Sequence, residues 1–481
     1  MNINAIADDI TQYSADALII FITENDLRPD NQTIDNAAGN IITHLQETGD
    51  FSGKAEETAV LYTQGSIAAK RLILVGTGNP DNFDVEVARR TAAVGIIEAR
   101  KLKLKHVATT VQPGLDIAVS AQAIAEATLL ATHHYHGQKN SDAPDALPEK
   151  LDIVSNDDDT LKDVQAILAR DLVNLPANYC TPAYMAQQAQ QIADDSELTC
   201  KILEKQQMVA LKMGALLGVA QGSDTPPRFI ILEHNADKAA DLDTLVLVGK
   251  GVTFDTGGYS IKSKDGMVGM KGDMGGGAAV LGAMKTISQL KPDLHVVGLV
   301  PAADNMINGS AYRPQDVITA SNGTTIEIIS TDAEGRMLLA DALVYAQRYN
   351  PAAVVDIATL TGGAVVALGS AASALFVNDD NIREHLIAAG ESTRERVWHM
   401  PLFPEYVKAL ESQTADTKNS AGRAASACTA ATFLSNFVDF PWGHVDMAGK
   451  GTLDGFPYMS SKTASGYGSR LLATFVQDWS E

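Results

Sequence analysis

The chain has 481 residues, with 37 Lys+Arg against 59 Asp+Glu, so its formal charge is −22. A single hydrophobic core stops growing near about 250–300 residues, so this length calls for more than one domain. A hydrophobic content of 45% with 20% charged residues excludes disorder throughout, and the negative excess argues against nucleic acid as the main partner, because phosphate binding depends on Lys and Arg displacing counterions.

The first 21 residues show no basic stretch followed by an apolar one, and nowhere does the chain run to the about 18 apolar residues of a membrane span. Short apolar runs, ADALIIFI (15–22) and RLILVGTG (71–78), alternate with helical patterns at 85–103 and 118–136. That alternation predicts βαβ units and a parallel or mixed sheet. The polar, proline-bearing stretch 138–150 reads as a linker, LDIV (151–154) as a last strand of the first sheet, and NDDDT (156–160) as the acidic start of a helix reaching about Leu172. We therefore expect an N-terminal α/β domain at 1–155, a linking helix at 156–173 and a larger domain at 174–481.

The second part repeats the alternation more strongly. TLVLVG (244–249), HVVGLVP (295–301), TTIEIIS (324–330), AAVVDIATL (352–360) and HVDMAG (444–449) read as strands. Helices are expected at 277–291 and about 335–349. The fold class is α/β: two unequal α/β domains, the larger with a mixed central sheet flanked by helices. In open α/β sheets ligands bind beyond the carboxyl ends of the strands, so the loops after 249, 330 and 358 are where chemistry is expected. Cys180, Cys200 and Cys428 are odd in number and far apart, fitting neither a disulfide framework nor a paired metal spacing. With no leader or span in view, the expected location is cytoplasmic.

Two of those loops are rich in charge. Residues 249–280, GKGVTFDTGGYSIKSKDGMVGMKGDMGGGAAV, and 330–341, STDAEGRMLLAD, bring Lys250, Asp255, Lys262, Lys264, Asp265, Lys271, Asp273, Asp332, Glu334 and Arg336 toward one crevice. Asp332, Glu334 and Arg336 alternate at i, i+2 and i+4, which on an extended segment puts all three side chains on one side. Several carboxylates at one sheet edge repel each other unless cations sit between them. Two divalent ions about 3.5–4 Å apart would relieve that repulsion and make a hydrolytic site. Neither segment contains a histidine, so the ligands are hard oxygens.

VGKGVTFDTGGYSIK, MKGDMGGGAAV and above all TDAEGR resemble the leucyl (cytosol) aminopeptidase family, the two-metal M17 peptidases, with GYSIK and KGDMGG closer to its peptidase B branch. NLPANYCTP (174–182), DIATLTGGAVVALG (356–369), AGRAASACTAATFLSNFV (421–438), WGHVDMAG (442–449) and SGYGSRLL (465–472) extend the resemblance across the whole second domain. Ser330 and Met337 depart from the usual Asn and Leu around TDAEGR; neither position is a ligand.

The resemblance implies a metal-dependent aminopeptidase that releases N-terminal L-amino acids from short peptides. Asp255 and Glu334 are implied as bridging metal ligands, Asp332 as a ligand of the first ion, and Lys250 and Asp273 as completing the second. Lys262 is the implied catalytic lysine beside the scissile carbonyl, and Arg336 the implied holder of a bicarbonate that relays protons. Met270 is implied in the side-chain pocket, and Thr359, Leu360 and Gly362 in backbone contacts along the cleft. The implied cofactors are two divalent ions per subunit, Zn or Mn ahead of Mg or Co, with bicarbonate. The implied assembly is a homohexamer whose active sites face an interior cavity.

Other motifs carry less. VGTGNP (75–80) and GDMGGGAA lack dinucleotide or P-loop spacing. His133, His134 and His136 do not share one helical face, and His444 sits in an apolar strand as a core residue. Lys264, Asp265 and Lys271 read as solvated loop charges, and Ser263 and Cys428 have no base nearby in sequence. A phosphoesterase with two metals, a DNA-binding side role and a silent scaffold are the competing classes.

Overall fold

The computed structural model describes residues 1–24, 27–112, 114–133, 147–155, 172–451 and 464–480. They divide into two compact units, one ending at residue 155 and the other beginning at 172. All but the last two residues of the linking helix expected at 156–173, most of the 138–150 linker, and His134 and His136 lie outside the described residues.

In the first unit, strands β1 (Asn2–Ala7), β2 (Ala17–Thr23), β3 (Thr58–Tyr62), β4 (Arg71–Gly78), β5 (His106–Thr110) and β6 (Lys150–Ser155) form one sheet in the order β1-β6-β5-β2-β4-β3. All neighbours pair in parallel except β3, which is antiparallel to β4. The two apolar runs at 15–22 and 71–78 lie side by side as β2 and β4, with Leu18 opposite Leu72, and both are buried nearly throughout. Burial on both faces explains why these runs are continuous rather than alternating. The helix Val85–Lys101 starts at Asp84, whose carboxylate accepts from the N–H groups of Glu86 and Val87. That cap satisfies two of the donors every helix start leaves unpaired.

The second unit carries β7 (Thr199–Leu203), β8 (Arg228–His234), β9 (Thr244–Gly249), β10 (Gly251–Asp255), β11 (His295–Asn305), β12 (Val317–Thr319), β13 (Thr325–Glu327), β14 (Ala353–Ala358), β15 (Ser373–Val377), β16 (Val397–His399), β17 (Thr417–Lys418) and β18 (Trp442–Asp446). The main sheet runs β16-β15-β18-β14-β9-β11-β8-β7, with β10 also on β11. Its centre, β18, β14, β9 and β11, is parallel, and β15, β8 and β7 add antiparallel pairs. The sheet is therefore mixed.

Alternate residues of the central strands face different helices. Val246, Val248, Val297 and Leu299 join one core with Met337–Ala346 of the helix Gly335–Ala346, while a side chain at Gly298 would strike Met284 and Val280 of the helix Gly275–Leu290. Burying each such Val, Leu or Ile contributes about 1.5–3 kcal/mol. The second helix presses close because its first turn is glycine: a Cβ on Gly276 would lie 2.1 Å from the Ile357 carbonyl oxygen.

Two expectations need correction. Residues 324–330 do not form a central strand: only Thr325–Glu327 is extended, in a separate three-stranded sheet with β12 and β17. The β11 strand runs beyond Pro301 to Asn305. Pro301 is tolerated because its neighbour steps there, β9 pairing with β11 up to Leu299 and β10 only from Ala302 onward, so no ladder hydrogen bond is needed at the proline.

Candidate active site

The step between β9 and β10 falls on Lys250, which donates its N–H to the Ile357 carbonyl and turns its side chain inward, 3% exposed. Its Nζ lies 2.7 Å and 2.8 Å from the two Asp273 oxygens, 2.8 Å from Glu334 Oε1 and 3.0 Å from the Thr359 carbonyl. A Cβ on Gly335 would stand 2.4 Å from Lys250 Cε, so only glycine leaves the lysine stem its channel. Burial works to lower the Lys250 pKa, but Asp273, Glu334 and Asp255 outweigh it and hold it above the ordinary lysine value. In this arrangement Lys250 is an ammonium bridging two carboxylates.

A second lysine plays a similar part. Lys262 Nζ is 2.7 Å from Asp255 Oδ2 and also bonds Asp332 Oδ1. Asp255 ends β10, and its Oδ1 accepts from the Gly257 N–H at 2.8 Å and from Asn305 Nδ2 at 2.7 Å. Oxygens of Asp255, Asp273 and Glu334, all buried, lie within 4.8 Å of one another. Burial first, and repulsion from neighbouring carboxylates second, pushes Asp255 above the usual carboxylate range; burial pushes Asp273 well above it. Asp332 is raised too, chiefly by burial, with Lys262 opposing.

The TDAEGR segment does not adopt the extended form its alternation suggested. Residues 331–332 turn, Glu334 has φ −76 and ψ −38, and the helix begins at Gly335. Asp332 and Glu334 nevertheless share the site, because the turn brings Asp332 to Lys262 while Glu334 enters from the head of the helix. Arg336, already helical, is 6% exposed and donates from Nη1 to the Asn419 carbonyl at 2.7 Å. Among the described residues its Nε has no hydrogen-bond partner. Burial lowers its pKa to about 10, with Glu334, Asp446 and Asp332 opposing, so it stays charged at neutral pH.

Thr359 follows β14 and donates its hydroxyl to Asp273 Oδ1 at 2.8 Å. The Leu360 N–H is taken by Asp446 Oδ1 at 3.1 Å, and Gly362 opens the helix Gly362–Leu368. Met270 is half-buried at the start of the short 3-10 helix Met270–Gly272. Seven of the ten charged residues singled out from sequence, with Thr359, therefore gather at the carboxyl end of the parallel strands; Lys264 and Asp265 lie in the short helix Lys264–Met267, and Lys271 turns to Asn174.

Other members of the site carry no local sequence signal. Asn305 ties Asp255 to the Thr331 carbonyl (3.0 Å), which the Tyr312 hydroxyl also meets at 2.9 Å; its only hint is position, at the end of a strand parallel to β10. Asn419 holds the backbone at Ile329 and Ser330 through its amide oxygen. Lys271 is not the solvated charge expected from sequence: it donates to the Asn174 carbonyl at 2.5 Å. His444 is fully buried, with Nδ1 2.6 Å from Asp356 Oδ1.

Residues 167–473 match the model of the cytosol aminopeptidase family, catalytic domain, and residues 18–142 match that family's N-terminal domain. The chain belongs to the cytosol aminopeptidase family. It is 40% identical, over 100% of both chains, to a probable cytosol aminopeptidase of Roseiflexus castenholzii, and 42% identical to one of Syntrophotalea carbinolica over 92% of this chain and 93% of that one. Among solved structures, a mutant tomato leucine aminopeptidase superposes with a TM-score of 0.87 at 33% identity, covering 99% of this chain and 96% of that chain. A bottromycin maturation enzyme, BotP, in complex with Mn gives 0.85 at 30% identity, covering 97% and 100%. The protein is a metal-dependent exopeptidase of the aminopeptidase type, a hydrolase acting on peptides, and among the described residues no helix is long and apolar enough to cross a membrane.

Proposed function

We propose that this aminopeptidase works with two divalent ions per subunit, releasing N-terminal L-amino acids from short peptides. The observation that carries the reading is the convergence of Asp255, Asp273 and Glu334, three buried carboxylates with oxygens within 4.8 Å of one another. With Asp332 they place four acids against Lys250, Lys262 and Arg336. Hard oxygen donors, crowded together so that burial and mutual repulsion disfavour their bare negative charge, fit divalent cations. Asp255 and Glu334 would be shared between the ions, Asp332 would serve the first, and Asp273 with Lys250 the second. Lys250 can act as a ligand only after losing the proton that Asp273 and Glu334 now stabilise. Bound there, the ions supply Lewis acidity and lower the pKa of a water to about 7.

The chain's own groups do the rest. Lys262 sits at the open side, next to the more exposed Asp332, and swings its ammonium toward the scissile carbonyl oxygen, donating to the charge that develops there. The free Nε of Arg336 suits a small anion, and bicarbonate there would carry a proton between water and leaving amine. Met270 lines the side-chain pocket, and Thr359, Leu360 and Gly362 orient the peptide backbone. We read the catalytic unit as beginning at residue 174 after a linking helix, the assembly as a homohexamer and the location as cytoplasmic; the names of the relatives support the last. Zn or Mn is the expected metal, and the Mn in the BotP complex supports the latter.

The test is a panel of aminoacyl p-nitroanilides and short peptides on metal-stripped protein given Zn, Mn, Mg or Co in turn, with p-nitrophenyl phosphate alongside. Metal-restored release of the first residue supports the reading. Turnover of the phosphate alone would overturn it.

A further inference from the structure

Beyond the strand end of β18, residues 446–450 run beneath the helix Gly362–Leu368 and hold both of its ends. At the start, Asp446 is 1% exposed. Its Oδ1 accepts from the N–H groups of Leu360 (3.1 Å), Thr361 (3.3 Å) and Ala448 (3.1 Å), and its Oδ2 from the Thr361 hydroxyl at 2.6 Å. Thr361 Oγ1 in turn accepts from the Ala364 N–H at 3.1 Å, capping the helix. At the far end, Lys450, 1% exposed, donates from Nζ to the Gly369 carbonyl at 2.6 Å. Among the described residues it forms no ion pair.

Both charges match the helix: a carboxylate where the N–H groups point, an ammonium where the carbonyls point. The arrangement is also costly. A buried ammonium answered by one carbonyl is poorly compensated, and burial pushes Lys450 down to about 8, with Asp446 opposing. The favourable match to the helix end is offset by this burial, so the lysine's distinct effect is to pin the far end of the helix into which the Thr359–Thr361 turn leads.

We propose that Asp446 and Lys450 are positioning residues, a two-ended clamp that fixes the Thr359–Gly362 turn so that its backbone meets the peptide in one register. The inference rests on the reading of that turn as part of the substrate cleft. Asp446 suits the role because an ionised carboxylate accepts four donors and has no proton of its own to misplace. Asn at this position keeps one oxygen for the backbone N–H groups and can donate to Thr361, so it preserves most of the clamp, whereas Ala removes it.

Three variants test the proposal: Asp446→Ala, Asp446→Asn and Lys450→Met. The readouts are kcat and KM on a tripeptide, metal content, melting temperature, and amide hydrogen exchange at Leu360 and Thr361. The loss of several charge-assisted hydrogen bonds should raise KM for Asp446→Ala about ten-fold or more with kcat changed less, and should speed both amides by a similar factor. Asp446→Asn should recover most of both. Lys450→Met should raise KM about three-fold while its melting temperature at pH 7 stays at or above that of the parent, because a poorly compensated buried charge has gone. Were the lysine merely structural, Lys450→Met would lower activity and melting temperature together.

Parent-like KM and parent-like exchange in Asp446→Ala would overturn the clamp, as would a loss in Lys450→Met that tracks melting temperature alone. Should the parent release no N-terminal residue at all, the functional reading fails by itself, and the exchange rates still decide whether Asp446 holds the turn.

Discussion

Both units bury carboxylates, and they do so in opposite ways. In the first unit Asp152, with no exposed side-chain surface, is met by Asn4 Nδ2 at 2.8 Å, the Tyr13 hydroxyl at 2.7 Å, His106 Nε2 at 2.5 Å and Lys150 Nζ at 2.6 Å. Burial alone would raise its pKa, but these four donors outweigh it and hold Asp152 below the ordinary carboxylate range. In the second unit four acids share Lys250, Lys262 and Arg336, and Asp255, Asp273 and Asp332 are all raised. A lone acid met by four donors is structural. Four acids crowded against three cationic side chains leave a surplus of negative charge, which is a demand for cations and marks the working site.

The largest effect expected from this contrast is on activity. Asp255→Asn should lower kcat/KM by about 10³-fold or more, measured on an aminoacyl p-nitroanilide with saturating metal, since a shared ligand is lost. The same change should leave the metal-stripped protein as stable as the parent or more so, by about 1 kcal/mol in urea unfolding, because one repelling charge is gone. The pH dependence carries the same sign. Asp255 has its folded pKa raised, so protonation favours the fold and the stripped parent should gain stability relative to the variant as pH falls toward the ordinary carboxylate value. If the stripped variant proved clearly weaker than the parent, the idea of a surplus-charge site would fail.

Next in size is Gly335→Ala. Ala is normally better than Gly in a helix by about 1 kcal/mol, but here its methyl would press 2.4 Å from Lys250 Cε. Overpacking of that kind costs about 1–3 kcal/mol and displaces what it strikes. We expect kcat to fall about 10- to 100-fold with weakened metal binding, read by titrating metal into stripped protein. A variant with parent-like metal affinity would show that the lysine stem has room to move.

Asp152→Asn tests the other half of the comparison. It should destabilise by about 1–3 kcal/mol at pH 7 and leave kcat unchanged, since a charge satisfied by donors is removed. Asp152 has its folded pKa lowered, so its contribution is present above the ordinary carboxylate value of about 3.9 and is lost as pH falls through the folded value. The deficit of the variant should therefore shrink below about pH 4.

Much of this is legible in the sequence, for reasons that differ by residue. The strands at 71–78 and 244–249 announce themselves because burial on both faces demands continuous apolar runs. Asp255 and Lys250 are legible because they stand at the end of such a run, in a glycine-rich loop. The shape of TDAEGR is not. Alternation at i, i+2 and i+4 is compatible with a strand, but a turn running into the head of a helix delivers Asp332, Glu334 and Arg336 to the same site, and the 325–327 strand belongs to another sheet. Asn305 and Asp446 escape notice for a different reason: each is a single polar residue closing a strand, and its partners, Asp255 and Leu360, lie 50 and 86 positions away. Only the pairing of β10 with β11 and of β14 with β18 brings them together.

The smallest effect separates two lysines seven positions apart that read alike in the sequence. Lys264 is exposed in a four-residue helix, Lys264–Met267, and Lys264→Met should change stability by no more than about 0.5 kcal/mol. Lys271 is half-buried, its pKa lowered by burial, and its Nζ meets the Asn174 carbonyl, while Asn174 Oδ1 accepts from the Ala464 N–H at 2.7 Å. Lys271→Met should cost about 1 kcal/mol, the worth of one hydrogen bond to a charged donor less the gain from burying an apolar stem. It should also raise KM slightly, because Lys271 lies between Met270 and Asp273 on the segment that reaches the site. Urea unfolding of the two variants side by side is the deciding measurement. Equal stabilities would mean that Lys271 belongs with the solvated charges, and that the line between structural and solvated groups cannot be drawn at this loop.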